Sequence, residues 1–259
     1  MDMQKRWIIL FVALLSVGFL GLFYSGHEGV FTDIDSNLNF ADIAWMITAT
    51  IFVLMMTPGL SFFYGGMVRS KNVISTMLQS FIAMGVISVI WVVVGFSLAF
   101  GEDLGHFIGN PGTFFMFMHV GGATDKLLAP TIPLALYALF QMKFAIITPS
   151  LITGSFAERV RFSGYLVFMI LFCIFVYCPL AHWTWHPDGF LRQMGVLDFA
   201  GGIVVHASSG VAALAGAIFL GRRKESGQPA NIPFVLLGAA MLWLGWFGFN
   251  AGSDRKSVV

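Results

Sequence analysis

The sequence predicts an all-α polytopic membrane protein, and three observations carry that prediction. Of 259 residues, 58% are hydrophobic and 10% charged. Seven apolar stretches are long enough for a membrane helix, which needs about 20 residues. The basic residues between those stretches sort to one side. Fourteen Lys and Arg with thirteen Asp and Glu fall far below the charged share of about a quarter in soluble domains, and a soluble fold could not cover its surface with so few. A cytosolic globular enzyme, a disordered tail and a nucleic-acid binder with a basic face are therefore excluded. A net charge of +1 points to no polyanionic partner. Cys173 and Cys178 share one apolar segment, so they imply buried thiols rather than a disulfide framework.

Taken in order, the first stretch, 7–24, follows Lys5-Arg6 and ends near Tyr24-Ser25-Gly26. Residues 1–26 read as a signal peptide or as an additional N-terminal helix; cleavage is preferred, although no clear A-x-A site follows. The remaining stretches are 42–64, 73–100, 131–153, 163–182, 198–220 and 232–252, separated by short segments rich in charge, Gly and Pro. Lys5, Arg6, Arg69, Lys71, Arg159, Arg161, Arg222, Arg223 and Lys224 fall on one side. The other side holds Lys126 and Arg192 with Glu28, Asp33, Asp35, Asp42, Glu102, Asp103, Asp125 and Asp188. The positive-inside rule makes the first side cytoplasmic. Small residues crowd the stretch from Ala207 to Ala217, which lets helix backbones approach closely in lipid. No repeat of 20–50 residues, low-complexity tract or soluble domain is visible.

Ionisable groups at membrane depth are costly and so are functional candidates. Lys143, Asp198 and His206 are the three. Asp198 opens DFAGGIVVH where an N-cap would stand, facing the positive end of the helix dipole. On a continuous helix His206 lies ~12 Å further along, near mid-bilayer and roughly 80° round from Asp198. Its bland alternative, a hydrogen-bonded core histidine, weakens in lipid, where no water supplies a partner. Phe140 and Phe144 are four apart on one helical face. Trp183 and Trp185 occupy the outer loop AHWTWHPDG, and Trp246, Phe247 and Phe249 crowd the last span. Alone, each aromatic reads as a lipid-facing, core or interfacial residue; their convergence on one polar helix makes them candidates. His182 and His186, with Asp188, have metal-like spacing, but Pro187, the loop position and the lack of a third ligand argue against a metal site.

The segments DFAGGIVVHASSGVAALAGAIFLGRR, TPGLSFFYGGMVRSKNVISTMLQSF, GSFAERVRF and GWFGFNAGS closely resemble signatures of the ammonium transporters of the Amt/Rh superfamily, in the right order from about Asp42 to Ser253. The resemblance implies the ammonium-transporter fold, two inverted halves of five helices plus an eleventh, of which 42–253 would be the first half and sixth helix. It also implies a homotrimer with one pore per subunit, in agreement with inverted repeats that meet at a midplane site. Residue by residue, it implies that Phe144, Trp185 and Ser253 bind ammonium in an outer vestibule. Asp198 would order that site without touching the ion, and Phe140 would be its companion. Phe144 and Phe249 would form a stacked gate, and His206 would be the first of two pore histidines. No cofactor is implied, and the process is transport rather than enzymatic catalysis.

The chemistry of these residue types agrees with that role. Ring faces attract a cation with ~0.5–2 kcal/mol each, more when desolvated. That recruits ammonium but does not carry a charge through an apolar constriction, which excludes hydrated ions. On the family's pattern ammonium gives up its proton, and an imidazole such as His206 suits a relay. Potassium, similar in size, has no proton to give.

Two features depart from the pattern. Lys143 precedes the gate Phe144 where the family usually has a neutral residue. It is expected to snorkel along the vestibule wall rather than point into the pore; inside, it would repel the substrate and favour a pseudo-transporter that only binds. The final six residues, Asp254 to Val259, are also what GATCGGAAGAGCGTCGTG, a common sequencing-adapter sequence, encodes. They read as a non-native tail, with the native gene continuing past Ser253 into the second pore histidine, the partner helices and a tail able to meet a PII-type regulatory protein. The expected setting is a prokaryotic inner membrane, with the lipid bilayer and ammonium or ammonia as partners and no nucleic acid. The alternative function is the ammonium-sensing membrane domain of a signalling protein.

Overall fold

The computed structural model describes Val12, Ser16, residues 37–223 and residues 227–254. The chain divides into two units, 1–34 and 35–259. Of the first unit, and of the segment expected at 7–24, only Val12 and Ser16 are described; both are helical, with the Ser16 hydroxyl donating to the Val12 carbonyl at 2.8 Å. The expected tail lies outside the described residues apart from Asp254.

Among the described residues of the second unit six helices are long and apolar enough to cross a membrane: α1 (Phe40–Met67), α2 (Ser70–Phe100), α3 (Leu134–Phe156), α4 (Phe162–Gln193), α5 (Gly202–Leu220) and α6 (Ile232–Asp254). They correspond to the six expected spans from 42 onward. A two-stranded antiparallel hairpin, β1 (Asp103–Leu104) and β2 (Ile108–Gly109), follows α2 and pairs Asp103 with Gly109.

Local chemistry sets the helix ends. The Asn39 side chain accepts from the N–H groups of Ala41 and Asp42, capping α1. α3 begins at Leu134, just after Pro133, rather than at 131. α4 stays helical to Trp185 and breaks at His186, whose extended backbone (φ −68°, ψ 135°) is what a following proline, Pro187, favours. Trp183 and Trp185 thus stand on the last turn of a helix, not in a loop. Gly201, with φ 96°, interrupts the chain before α5, so Asp198 lies outside that helix.

Hydropathy did not reveal that four spans contain a π-turn: Trp91–Gly95, Cys173–Tyr177, Gly202–Ala207 and Phe247–Ala251. Each wedges in extra backbone and rotates the helix beyond it, a distortion frequent at functional sites.

Close backbone approach occurs chiefly between α1 and α6. A Cβ added at Gly238 would lie 2.4 Å from the Phe63 nitrogen and 2.5 Å from the Gly59 carbonyl oxygen, so the two backbones touch. The small-residue run of α5 makes a comparable approach at Gly216, against the Phe156 ring, while Val211, Leu214 and Ile218 stay exposed.

At the end of the helices where α1 meets α2, α3 meets α4 and α5 meets α6, Glu158 ties the three connections together. Its Oε1 accepts from the Arg69 backbone N–H (2.8 Å), Arg69 Nε (3.1 Å) and Asn72 Nδ2 (2.9 Å). Arg223 stands 3.7 Å from its Oε2 and donates to the Ala157 carbonyl. Burial pushes the Glu158 carboxyl up, but the Asn72 and Arg69 hydrogen bonds outweigh it, and the group sits below the ordinary glutamate value. The stabilisation is therefore complete above the unfolded-state carboxyl range and is lost as pH falls through the lowered value. Glu158→Gln is expected to lower stability at neutral pH by about 1–3 kcal/mol and to converge with the parent in acid. Thermal unfolding in detergent against pH checks this, and a constant difference across that range would refute it.

Candidate functional site

The site grows from α3. Its i, i+4 spacing puts Phe140 and Phe144 on one face, with ring centroids 4.9 Å apart at 66°. Both are fully buried. Phe144 meets two rings from distant helices: Trp185 of α4, edge-on at 5.9 Å and 83°, and Phe249 of α6, at 4.4 Å and 40°. Phe249 continues to His206 of α5 at 5.7 Å, and Trp246 stacks on His206 at 5.8 Å with the planes 8° apart. An unbroken ladder of rings therefore runs from Trp185 through Phe144 and Phe249 to His206.

Asp198 holds the upper part of this ladder in place. Its Oδ1 accepts from the backbone N–H groups of Gly201 (2.6 Å) and Gly202 (2.8 Å), and its Oδ2 from Ile203 (2.8 Å) and Val204 (3.0 Å). These are the donors left unpaired at the start of α5. The Asp198 backbone carbonyl accepts the Trp185 indole N–H at 3.0 Å. One residue thus caps α5 with its side chain and orients Trp185 with its main chain.

The helical-wheel relation between Asp198 and His206 does not hold. Asp198 reaches the helix from outside, and Gly202–Ala207 is a π-turn. His206 lies about 6 Å into α5, and its residue is exposed beside the Phe249 and Trp246 rings. Ser253 is fully buried, its hydroxyl donating to the Phe249 carbonyl at 2.7 Å. A Cβ at its neighbour Gly252 would lie 2.9 Å from the Phe140 ring, so the Ser253 turn packs directly on α3.

Lys143 is half-buried, in a run from Phe140 to Ser150 that is otherwise buried. Among the described residues it forms no ion pair with an acid. The His182 and His186 rings stack at 4.5 Å and 18°. Their nitrogens are engaged elsewhere: His182 with the Ala99 carbonyl and Asp103, and His186 Nδ1 with the Asp188 N–H. Sequence reasoning missed the link between His182 and Asp103, because the partners are 79 positions apart and no local periodicity connects them.

The chain as a whole has counterparts among known proteins. The profile of the Ammonium Transporter Family matches residues 44–257. An ammonium transporter of Aquifex aeolicus is 45% identical over 240 residues, covering 92% of this chain and 56% of its own. The crystal structure of Candida albicans Mep2 superposes with a TM-score of 0.79 at 36% identity, covering 86% of this chain and 50% of that one. A structure described as a Sensor Amt Protein gives 0.73 at 33% identity, covering 83% and 55%. The chain spans about half the length of these relatives. With the profile matching most of its residues and six helices suited to crossing a membrane, the chain is a multi-pass membrane protein that belongs to the ammonium transporter family.

Proposed function

We propose that the complete gene product carries ammonium or ammonia across a prokaryotic inner membrane, as a homotrimer when full length, and that the described helices supply the outer half of the route. The supporting observation is the ring ladder from Trp185 through Phe144 and Phe249 to His206. Trp185, Phe144 and the Ser253 region form the recruiting end, where ring faces replace part of the cation's hydration. Asp198 shapes that end without touching the ion, since its carboxylate is engaged by four backbone donors. Phe140 backs Phe144. The 4.4 Å contact between Phe144 and Phe249 closes the route to hydrated ions, as an apolar constriction does. His206, immediately beyond, takes part in passing on the proton that ammonium surrenders. Lys143 belongs to the wall, where its long chain reaches toward the interface. A PII-type protein is the expected regulator of the complete protein.

Expressed from its complete reading frame in cells that lack other ammonium uptake, the protein is expected to give saturable methylammonium uptake that excess potassium leaves unchanged. Trp185→Leu is expected to raise the KM by about 2–30-fold, the worth of one ring face. Absence of flux would reject the transport reading. The likeness to the Sensor Amt Protein favours a second reading, an ammonium-sensing membrane domain; binding of ammonium without flux, with a signalling output, would establish it.

A further inference from the structure

We infer that His182 and Asp103 are positioning residues that lock the outer turn of α4, and so hold the Trp185 ring over Phe144. The inference rests on the reading of Trp185 as part of the recruiting end.

His182 is fully buried. Its Nδ1 lies 3.0 Å from the Ala99 carbonyl oxygen and its Nε2 2.9 Å from Asp103 Oδ1. A carbonyl oxygen can only accept, so Nδ1 carries a proton and donates it. Nε2 meets the Asp103 carboxyl group, so each ring nitrogen has its own hydrogen-bond partner. The imidazole thereby bridges the end of α2 and the start of β1 from within α4. Asp103 Oδ2 accepts the His106 backbone N–H at 2.9 Å, which closes the hairpin on the same carboxylate. Burial pushes the Asp103 carboxyl up, but the His182 and His106 hydrogen bonds prevail and hold it below the ordinary range.

The hairpin in turn grips the part of α4 beyond its break at His186. His106 Nδ1 donates to the Asp188 carbonyl at 2.6 Å, a closer contact than its 3.4 Å approach to Asp103 Oδ2. The His106 carbonyl accepts from the Phe190 N–H at 3.0 Å, and the Trp183 indole donates to the Phe107 carbonyl at 2.6 Å. Trp185 therefore stands one helical turn beyond His182 and is bracketed by anchors on both sides. Simple packing would not require this chemistry, because replacing both partners of a hydrogen bond by apolar side chains of similar shape is often nearly neutral. What the pair adds is directional: two hydrogen bonds from one rigid ring set the position of the helix end.

The test measures methylammonium uptake by the complete gene product, normalised to protein in the membrane. Asp103→Asn is expected to raise the KM by about 2–30-fold, the same worth of one ring face as for Trp185→Leu, with Vmax retained within about twofold. Asp103→Glu is expected to restore part of the loss. Asp103→Asn combined with Trp185→Leu is expected to be no worse than Trp185→Leu alone, since both act through one ring. His182→Gln, which cannot satisfy both acceptors in the imidazole's geometry, serves as the second variant and is expected to behave as Asp103→Asn. An unchanged KM in whichever of these two variants reaches the membrane, or additive effects with Trp185→Leu, overturns the inference. Loss of both variants from the membrane assigns the pair to folding and overturns it as well. If Trp185→Leu leaves KM unchanged, the recruitment reading fails and takes this one with it. If Trp185→Leu raises KM while Asp103→Asn does not, this inference fails alone.

Discussion

Replacing His206 by Ala in the complete gene product is expected to abolish selective ammonium uptake while the protein still reaches the membrane. The His206 ring lies past the Phe144 and Phe249 contact, 5.7 Å from Phe249 and stacked on Trp246. On the proposed route, a cation recruited at Trp185 would meet two apolar rings whose centroids are 4.4 Å apart, and their faces cannot replace a complete hydration shell. Releasing a proton removes the charge, and a positioned imidazole can accept and pass on that proton. Loss of such a group typically costs about 10²–10⁴-fold in rate, above the roughly 2–30-fold effect expected from one ring at the mouth. The fold should tolerate the change, because the ring contacts of His206 are with the Trp246 and Phe249 side chains. Uptake kinetics in the presence and absence of potassium give the answer. Unchanged uptake with unchanged discrimination against potassium in His206→Ala would sink the relay role.

Asp198→Ala is expected to destabilise the protein by about 4 kcal/mol or more, as when several charge-assisted hydrogen bonds to one carboxylate are lost together. The carboxylate takes four backbone donors at 2.6–3.0 Å, and an alanine leaves them at the head of α5 with no acceptor. Asp198→Asn should be almost as damaging. It offers one oxygen to four N–H groups and turns its own amide hydrogens toward two of them. The local backbone is already exacting, since Gly201 sits at φ 96° with room for no Cβ: one would meet Val205 Cγ2 at 2.7 Å. The effect should reach the recruiting end too, because the Asp198 carbonyl holds the Trp185 indole. Thermal unfolding in detergent, followed by tryptophan fluorescence, measures it. An Asn variant that unfolds at the parent's temperature would refute the capping account.

Helix positions were legible because hydropathy is local: a span must be about 20 residues long and apolar whatever it packs against. Within α3 the pairing of Phe140 with Phe144 was equally legible, since one helix determines it. Helix ends were read less well. Trp183 and Trp185 proved helical, and α5 starts at Gly202 rather than at Asp198, because Pro187 and Gly201 act on backbone torsion rather than on hydropathy. Close packing was expected along the Ala and Gly run of α5, but the close approach of one helix backbone to another lies between α1 and α6, at Gly59 and Gly238. Small residues permit close approach; they do not choose the partner.

By itself the sequence determined the all-α membrane class, six spans from residue 42 onward and, through long motifs, the family. Each of these depends on composition or on neighbours along the chain. The tertiary structure decided which distant groups meet: Phe144 with Phe249, Trp185 with the Asp198 carbonyl, His182 with Asp103. Those meetings depend on how helices cross and on π-turns that rotate the residues beyond them. A small rotation moves a ring into or out of contact, and no periodicity along the sequence records that rotation.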